Sequence, residues 1–424
     1  MEIKIGLLII YFIVFFGSNL WEIFLLVLNL KHSMVSDIPE IFRKEIDTRD
    51  CAKSKSYLKE KTVFAITEIT VKTFITFLCI IYFFPLFESV GIKISFKLFS
   101  TNYIFQSIIF FFLVGVLYFI IEIPFDVYSS FVLEKRYGFS KITTKIFAVD
   151  KIKTIVISII FGATILFLFF EIFFHVRMWW MFLSILIILL ILFIEWIYPI
   201  IIFPIFYKLK PLENEKLRAK IEEIANKVRF KITNVYVMDA SKRSTHTNAF
   251  FTGLGKSKRI VFYDTLLKEH TDEEVLAIFA HEAGHYYYKH VLKSILLSCM
   301  VIVFLTFFFF LLTSKPIFII AFNIPELYID LPYVYALIFL NSIFTFLEFI
   351  PNSISRKFEF QADKFATLLT SKNTMVEMLK RLMKVNLSNL NPHNLYSLFK
   401  YTHPAPVERI EAIIKENKDS MNIC

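Results

Sequence analysis

Residues 271–285 read Thr271-Asp272-Glu273-Glu274-Val275-Leu276-Ala277-Ile278-Phe279-Ala280-His281-Glu282-Ala283-Gly284-His285. Thr271 with Glu274 three residues on forms a capping box, which sets a helix N-terminus here. Nothing breaks the helical pattern before the apolar run ending near Leu312, so a single helix is predicted to carry the motif into a membrane span. On that helix His281 and His285 share a face, with Cβ atoms about 6 Å apart, a spacing that suits two imidazole nitrogens on one Zn²⁺. Glu282 lies roughly 100° round the axis, where it can face an attacking water without ligating the metal. The pattern is H-E-x-x-H. Five residues can coincide by chance, so the surroundings must decide.

Those surroundings are membranous. Of 424 residues, 56% are hydrophobic and 52 are Phe, with a mean hydropathy of +0.61. A bilayer core of ~30 Å needs about 20 apolar residues per span. Seven segments qualify: 5–30, 63–87, 103–125, 154–174, 178–207, 292–313 and 333–351. The first has too long an apolar stretch for a signal peptide and lacks a small-residue cleavage site, so it reads as a retained span. Cys79 and Cys299 lie in spans and no C-x-x-C pair exists, so neither a disulfide framework nor a thiolate metal site is implied.

The net charge of +10 follows topology rather than nucleic acid. Loops 31–62, 126–153, 208–291 and the tail after 351 hold 8, 6, 15 and 11 Lys and Arg, against 1, 2, 1 and 1 for the N-terminus and loops 88–102, 175–177 and 314–332. With seven spans these sets fall on opposite sides, and the rich set is predicted to be cytoplasmic. The N-terminus is then outside or lumenal, in a bacterial inner membrane or the endoplasmic reticulum. The C-terminus and the metal motif are cytoplasmic.

The organisation read along the chain is spans one to five in 1–207, a soluble unit in 208–291, spans six and seven in 292–351, and a helical part in 352–424 that completes the site. Glu22, Glu68, Glu122 and Glu195 lie at membrane depth, where a carboxylate is costly and faces protein or water; for Glu22 a pair with Lys72, a snorkelling position and a direct functional role all stand open. Segment 31–62 reads as a helical hairpin, and 122–141 as a juxtamembrane helix that leaves the third span through Pro124 and ends at Gly138. In the soluble unit Leu212–Val228 has helical periodicity. Val235–Asp239 and Arg259–Asp264 read as strands. Thr247–Phe251 reads as an edge strand able to pair with an extended peptide.

A third ligand comes from beyond span seven. Glu359 follows Pro351 by eight residues, roughly 12 Å of helix, and returns to the side that carries H-E-x-x-H. A His₂Glu set leaves one zinc position open for water. Asp363, a turn later, is placed to accept the second ring proton of a zinc histidine. His290, five residues past His285, falls off the ligand face and reads as interfacial. His246, His270 and His393 read as ordinary polar histidines.

With these residues in place, the chain resembles the type I CAAX prenyl proteases, integral membrane zinc metalloendopeptidases of the gluzincin type. The likeness covers nearly the whole chain. It is carried by 281–285, by Glu359-Phe360-Gln361-Ala362-Asp363, by 239–253, by 124–141, and by His403-Pro404 with Arg409. It implies one Zn²⁺ on His281, His285 and Glu359, Glu282 as catalytic base, and His403 on the carbonyl oxygen under attack. Asn248 and Arg409 are implied on the substrate side. The implied fold is a mainly α membrane protein, with seven transmembrane helices around an intramembrane chamber capped by a cytoplasmic-side α+β zincin domain. Ala283, Phe250 and Thr252 depart from the family's usual Leu and tyrosines and bear on subsite preference.

The reading is therefore a membrane zinc metalloendopeptidase acting near the C-terminus of prenylated C-a-a-X substrates, in contact with membrane lipid. The alternative within the class is an HtpX-like quality-control peptidase with no prenyl requirement. The alternative outside it is a non-catalytic chamber or transporter with structural zinc. An open His₂Glu set beside Glu282 argues against the last, because structural sites close their fourth position.

Overall fold

The computed structural model describes residues 2–99, 102–228, 234–252 and 259–415. Six described helices are long and apolar enough to cross a bilayer: Glu2–Val35, Thr48–Leu98, Tyr103–Arg136, Thr144–His175, Trp179–Phe206 and His290–Thr313. The seventh candidate is a pair, Leu331–Thr345 and Phe349–Leu369, bent by 48° at a short break. All seven predicted segments fall on these helices. Side chains such as Phe112, Phe304 and Ile13 are exposed along them, as expected where lipid replaces a protein core. Tyr11, Phe110 and Tyr335 are buried between helices.

Two boundaries differ from expectation. Segment 31–62 is no separate hairpin: the first helix runs to Val35, a short turn follows, and the second begins at Thr48 behind an Asp47 cap. The helix of span three passes through Pro124, as expected, and reaches Arg136 by way of a π turn at Ser129–Leu133. One missing N–H is tolerable where adjacent turns adjust. Gly138, at φ +84, ends the run as predicted. The second difference is that span seven breaks before Phe349, so Pro351 lies in the first turn of the helix bearing Glu359, where proline is well accommodated.

Several polar groups within the spans are paired. Lys72 Nζ lies 2.6 Å from both Glu68 and Glu122, and Thr73 donates to Asn19 at 2.8 Å. Glu22 pairs with Lys400 at 2.8 Å rather than with Lys72, and Lys400 also holds Glu348 at 2.7 Å. A link of this kind between the first span, the last and the C-terminal part is invisible in local sequence.

Between spans five and six lies a four-stranded sheet: β1 (Leu209–Pro211), β2 (Asn234–Met238), β3 (Ala249–Thr252) and β4 (Arg259–Tyr263), in the order β1-β2-β4-β3. β2 and β4 are parallel and the outer pairs antiparallel. β3 is at the edge, as expected. β1, too short for any alternation, was not anticipated. Leu217, Ile221 and Ile224 of helix Glu215–Lys227 join Phe262, Phe279 and Phe365 in the core.

The motif helix, Asp272–Tyr287, starts from the predicted capping box. It does not continue into span six. Lys289 is left-handed at φ +56, and a new helix begins at His290. No local signal marks this break, since lysine is a good helix former.

Candidate metal centre

Two helices build the site. Gly284 faces the helix Phe349–Leu369 so closely that a Cβ there would stand 3.0 Å from Ala362 Cα. That approach carries Glu359 over the two motif histidines. The Nε2 atoms of His281 and His285 are 3.2 Å apart. Glu359 Oε2 lies 3.3 Å from His281 Nε2, and its Oε1 lies 3.2 Å from His285 Nε2. One ligand atom from each of the three residues falls within 4.8 Å of the others. Glu359 is 4% exposed, and its Oε2 is buried without a hydrogen bond. Two imidazole nitrogens and a buried carboxylate oxygen with no hydrogen bond, converging on one point, fit a cation.

The second ring nitrogens are also engaged. His281 Nδ1 lies 2.8 Å from Asp363 Oδ1. Burial opposes charge on this ring, but the Asp363 and Glu359 carboxylates outweigh it and hold the His281 imidazolium up to about 10 in the metal-free chain. His285 Nδ1 meets His290 Nδ1 at 3.0 Å, and His290 Nε2 meets Gln361 Oε1 at 2.9 Å. The expectation that His290 is an interfacial bystander is therefore wrong. Five residues along one continuous helix would face it away, whereas the left-handed Lys289 turns the chain back over His285.

On the open side Glu282 is half-buried, and burial pushes its carboxyl up. His403 is 62% exposed in its side chain, with Nε2 3.4 Å from Glu359 Oε1 and Nδ1 3.0 Å from Thr402 Oγ1. Asn248 is exposed at the head of β3, its Oδ1 accepting from Ala249 N at 2.8 Å. β3 packs on the motif helix through Phe251 and Phe279, with ring centroids 6.0 Å apart. Arg409 is not on this face. It is buried behind Glu359, forked onto Asp363.

Several positioning residues had no sequence signal. Arg356, a turn before Glu359, donates to the carbonyls of Ser397, Leu398 and Tyr401, so the ligand helix and the His403 loop are tied together. The segments around Pro124–Lys141 and 239–253 meet through Lys141 N to Arg243 O at 3.0 Å and Thr245 N to Phe139 O at 2.9 Å. Arg243 also forks onto Asp150 at 2.8 and 3.1 Å. The His246 ring stacks on Phe139, with centroids 4.0 Å apart.

Membrane helices, an edge strand above a motif helix, a His₂Glu cluster and a neighbouring carboxylate define a membrane-embedded metallopeptidase. Comparison with known proteins agrees over nearly the whole chain. Residues 211–417 match the model of Peptidase family M48, and residues 29–208 match that of the CAAX prenyl protease N-terminal, five membrane helices. The CAAX prenyl protease 1 homolog of Dictyostelium discoideum is 35% identical over 427 residues, covering 96% of this chain and 97% of that protein. The probable CAAX prenyl protease 1 of Schizosaccharomyces pombe is 32% identical over 418 residues, covering 94% of this chain and 86% of that protein. The crystal structure of S. mikatae Ste24p superposes with a TM-score of 0.88 at 28% identity, covering 96% of this chain and 99% of that one. The chain belongs to the CAAX prenyl protease 1 family of M48 peptidases.

Proposed function

We propose that this protein is a zinc endopeptidase that cleaves near the C-terminus of prenylated C-a-a-X substrates, with its site on the cytoplasmic face of the endoplasmic reticulum membrane. The observation that carries the metal chemistry is the convergence of His281 Nε2, His285 Nε2 and both Glu359 oxygens beside Glu282. Zinc bound there supplies Lewis-acid polarisation of the scissile carbonyl and a water of lowered pKa. A carboxyl whose proton affinity is raised by burial suits Glu282 to take the water proton and pass it to the leaving amine. In the tautomer in which the Thr402 hydroxyl donates to Nδ1, His403 carries its proton on Nε2 and can turn it to the developing oxyanion. The edge of β3 offers main-chain pairing to an extended substrate, with Asn248 at its head. Arg409 acts by holding Asp363, and Asp363 by orienting His281.

The substrate class comes from the relatives, which are named CAAX prenyl proteases, and from the placement of the site beside membrane helices. The polar pairs at Lys72 and Asn19 suit a chamber open to water and lipid between the spans. The test is mass spectrometry of products from purified protein offered a farnesylated C-a-a-X peptide and its unprenylated twin. Selective release of the last residues from the farnesylated peptide is expected. Equal cleavage of both would overturn prenyl recognition, and cleavage of neither would overturn the substrate class.

A further inference from the structure

The two motif histidines are held by different chemistry. His281 leans on a carboxylate, Asp363, itself neutralised by Arg409. His285 leans on a neutral ring. His290 is 2% exposed, stacked on Phe358 with centroids 4.3 Å apart and an interplanar angle of 11°. Its two nitrogens sit at 3.0 Å from His285 Nδ1 and 2.9 Å from Gln361 Oε1. Gln361 stands two residues from Glu359, on the helix that supplies the third ligand.

We propose that His290 and Gln361 form an uncharged relay that sets the tautomer and ring angle of His285, making both positioning residues for the metal. The proposal rests on the zinc reading above. If Nε2 of His285 presents its lone pair to the metal, Nδ1 carries the proton and donates it to His290 Nδ1. His290 must then hold its own proton on Nε2, and the acceptor waiting there is an amide oxygen. Each donor meets an acceptor, and no other tautomer of His290 satisfies both neighbours. The relay orients the ligand without adding a second negative charge that would weaken the metal as a Lewis acid. Geometry beyond the two bonds supports this role. A left-handed lysine is disfavoured, yet Lys289 adopts φ +56, and that turn is what returns His290 to His285. Strain of this kind persists where surrounding contacts over-determine it.

The test uses the full chain purified in detergent, stripped of metal and titrated with Zn²⁺ against a chromophoric chelator, with helical circular dichroism as the fold control. Four variants separate the contacts. His290→Phe keeps the stack on Phe358 and loses both nitrogens. His290→Asn can place an acceptor near the Nδ1 position, His290→Gln only a group near the Nε2 position. Lys289→Gly relieves the left-handed strain and leaves the relay intact. For a ligand-orienting partner the expected loss of zinc affinity is about ten- to hundredfold in His290→Phe and His290→Gln, with His290→Asn and Lys289→Gly within about threefold of the parent. Parent affinity in His290→Phe would overturn the relay in favour of ring packing. Equal weakening of the Asn and Gln variants would overturn the tautomer assignment. A parent chain that takes up no zinc would overturn the metal reading itself, and the relay with it.

Discussion

Arg409 grips Asp363 through both carboxylate oxygens, Nε to Oδ2 at 2.8 Å and Nη2 to Oδ1 at 2.6 Å. The two residues are 7% and 2% exposed, so the pair sits in the core rather than on the rim of the site. Removing one partner of a buried, forked pair strands the other charge at a cost of about 3–5 kcal/mol. Arg409→Ala is expected to lower the thermal midpoint in detergent and to weaken metal retention. Arg409→Lys should recover only part of both, because a single ammonium cannot reproduce the fork. Metal content after dialysis, measured beside the melting curve, checks the two effects together.

In the proposed mechanism Glu282 and His403 act on the reacting atoms and are not metal ligands. Glu282→Gln is expected to reduce kcat by roughly 10²–10⁴, the range for a general base, with zinc content unchanged. His403→Ala is expected to reduce it by about 10²–10³, the range for one oxyanion donor. Single-turnover rates at saturating peptide, compared with metal analysis of the same samples, would show whether either loss comes from lost metal instead.

The His281 imidazolium gives a pH prediction with a definite sign. Metal-free, this ring is held up to about 10, above the ordinary histidine value of about 6.5. Its contribution to the stability of the metal-free chain is fully present below about 6.5 and lost as pH rises through about 10. Zinc uptake must expel that proton, so zinc affinity should rise across the same window, by roughly tenfold per pH unit for one proton. Chelator competition at three pH values measures the slope; a flat profile would contradict it. A chelator should abolish cleavage, and added Zn²⁺ should restore it.

Gly284 sets how closely the two ligand-bearing helices approach. A Cβ there would meet Ala362 Cα at 3.0 Å and Ala362 O at 3.2 Å, both backbone atoms with little room to yield. Gly284→Ala is expected to cost about 1–3 kcal/mol, as overpacking does, and to move Glu359 off the histidines. Thermal unfolding together with zinc affinity would report both, whereas Gly162→Ala, with nothing within 4 Å, should leave them unchanged.

Much of this protein follows from local pattern. Span locations are set by runs of apolar residues, because a bilayer accepts only backbone that satisfies its own hydrogen bonds. The motif helix begins where Thr271 and Glu274 cap it. His281, His285 and Asp363 could be placed by helical spacing, since helix faces repeat at fixed intervals.

Tertiary structure decided the remainder. The break at Lys289 contradicts its own helix propensity and is held by contacts of His290 with residues 285 and 361. The approach of Glu359 depends on a glycine facing a separate helix. Lys400 joins Glu22 to Glu348 across most of the chain, and Arg356 fixes the loop of His403 by binding its carbonyl groups. No local pattern encodes such contacts, because their partners lie far apart in sequence. The sequence alone therefore determined the spans and the metal-binding residue types. Their convergence on one point, and the relay behind His285, were decided only when packing brought distant helices together.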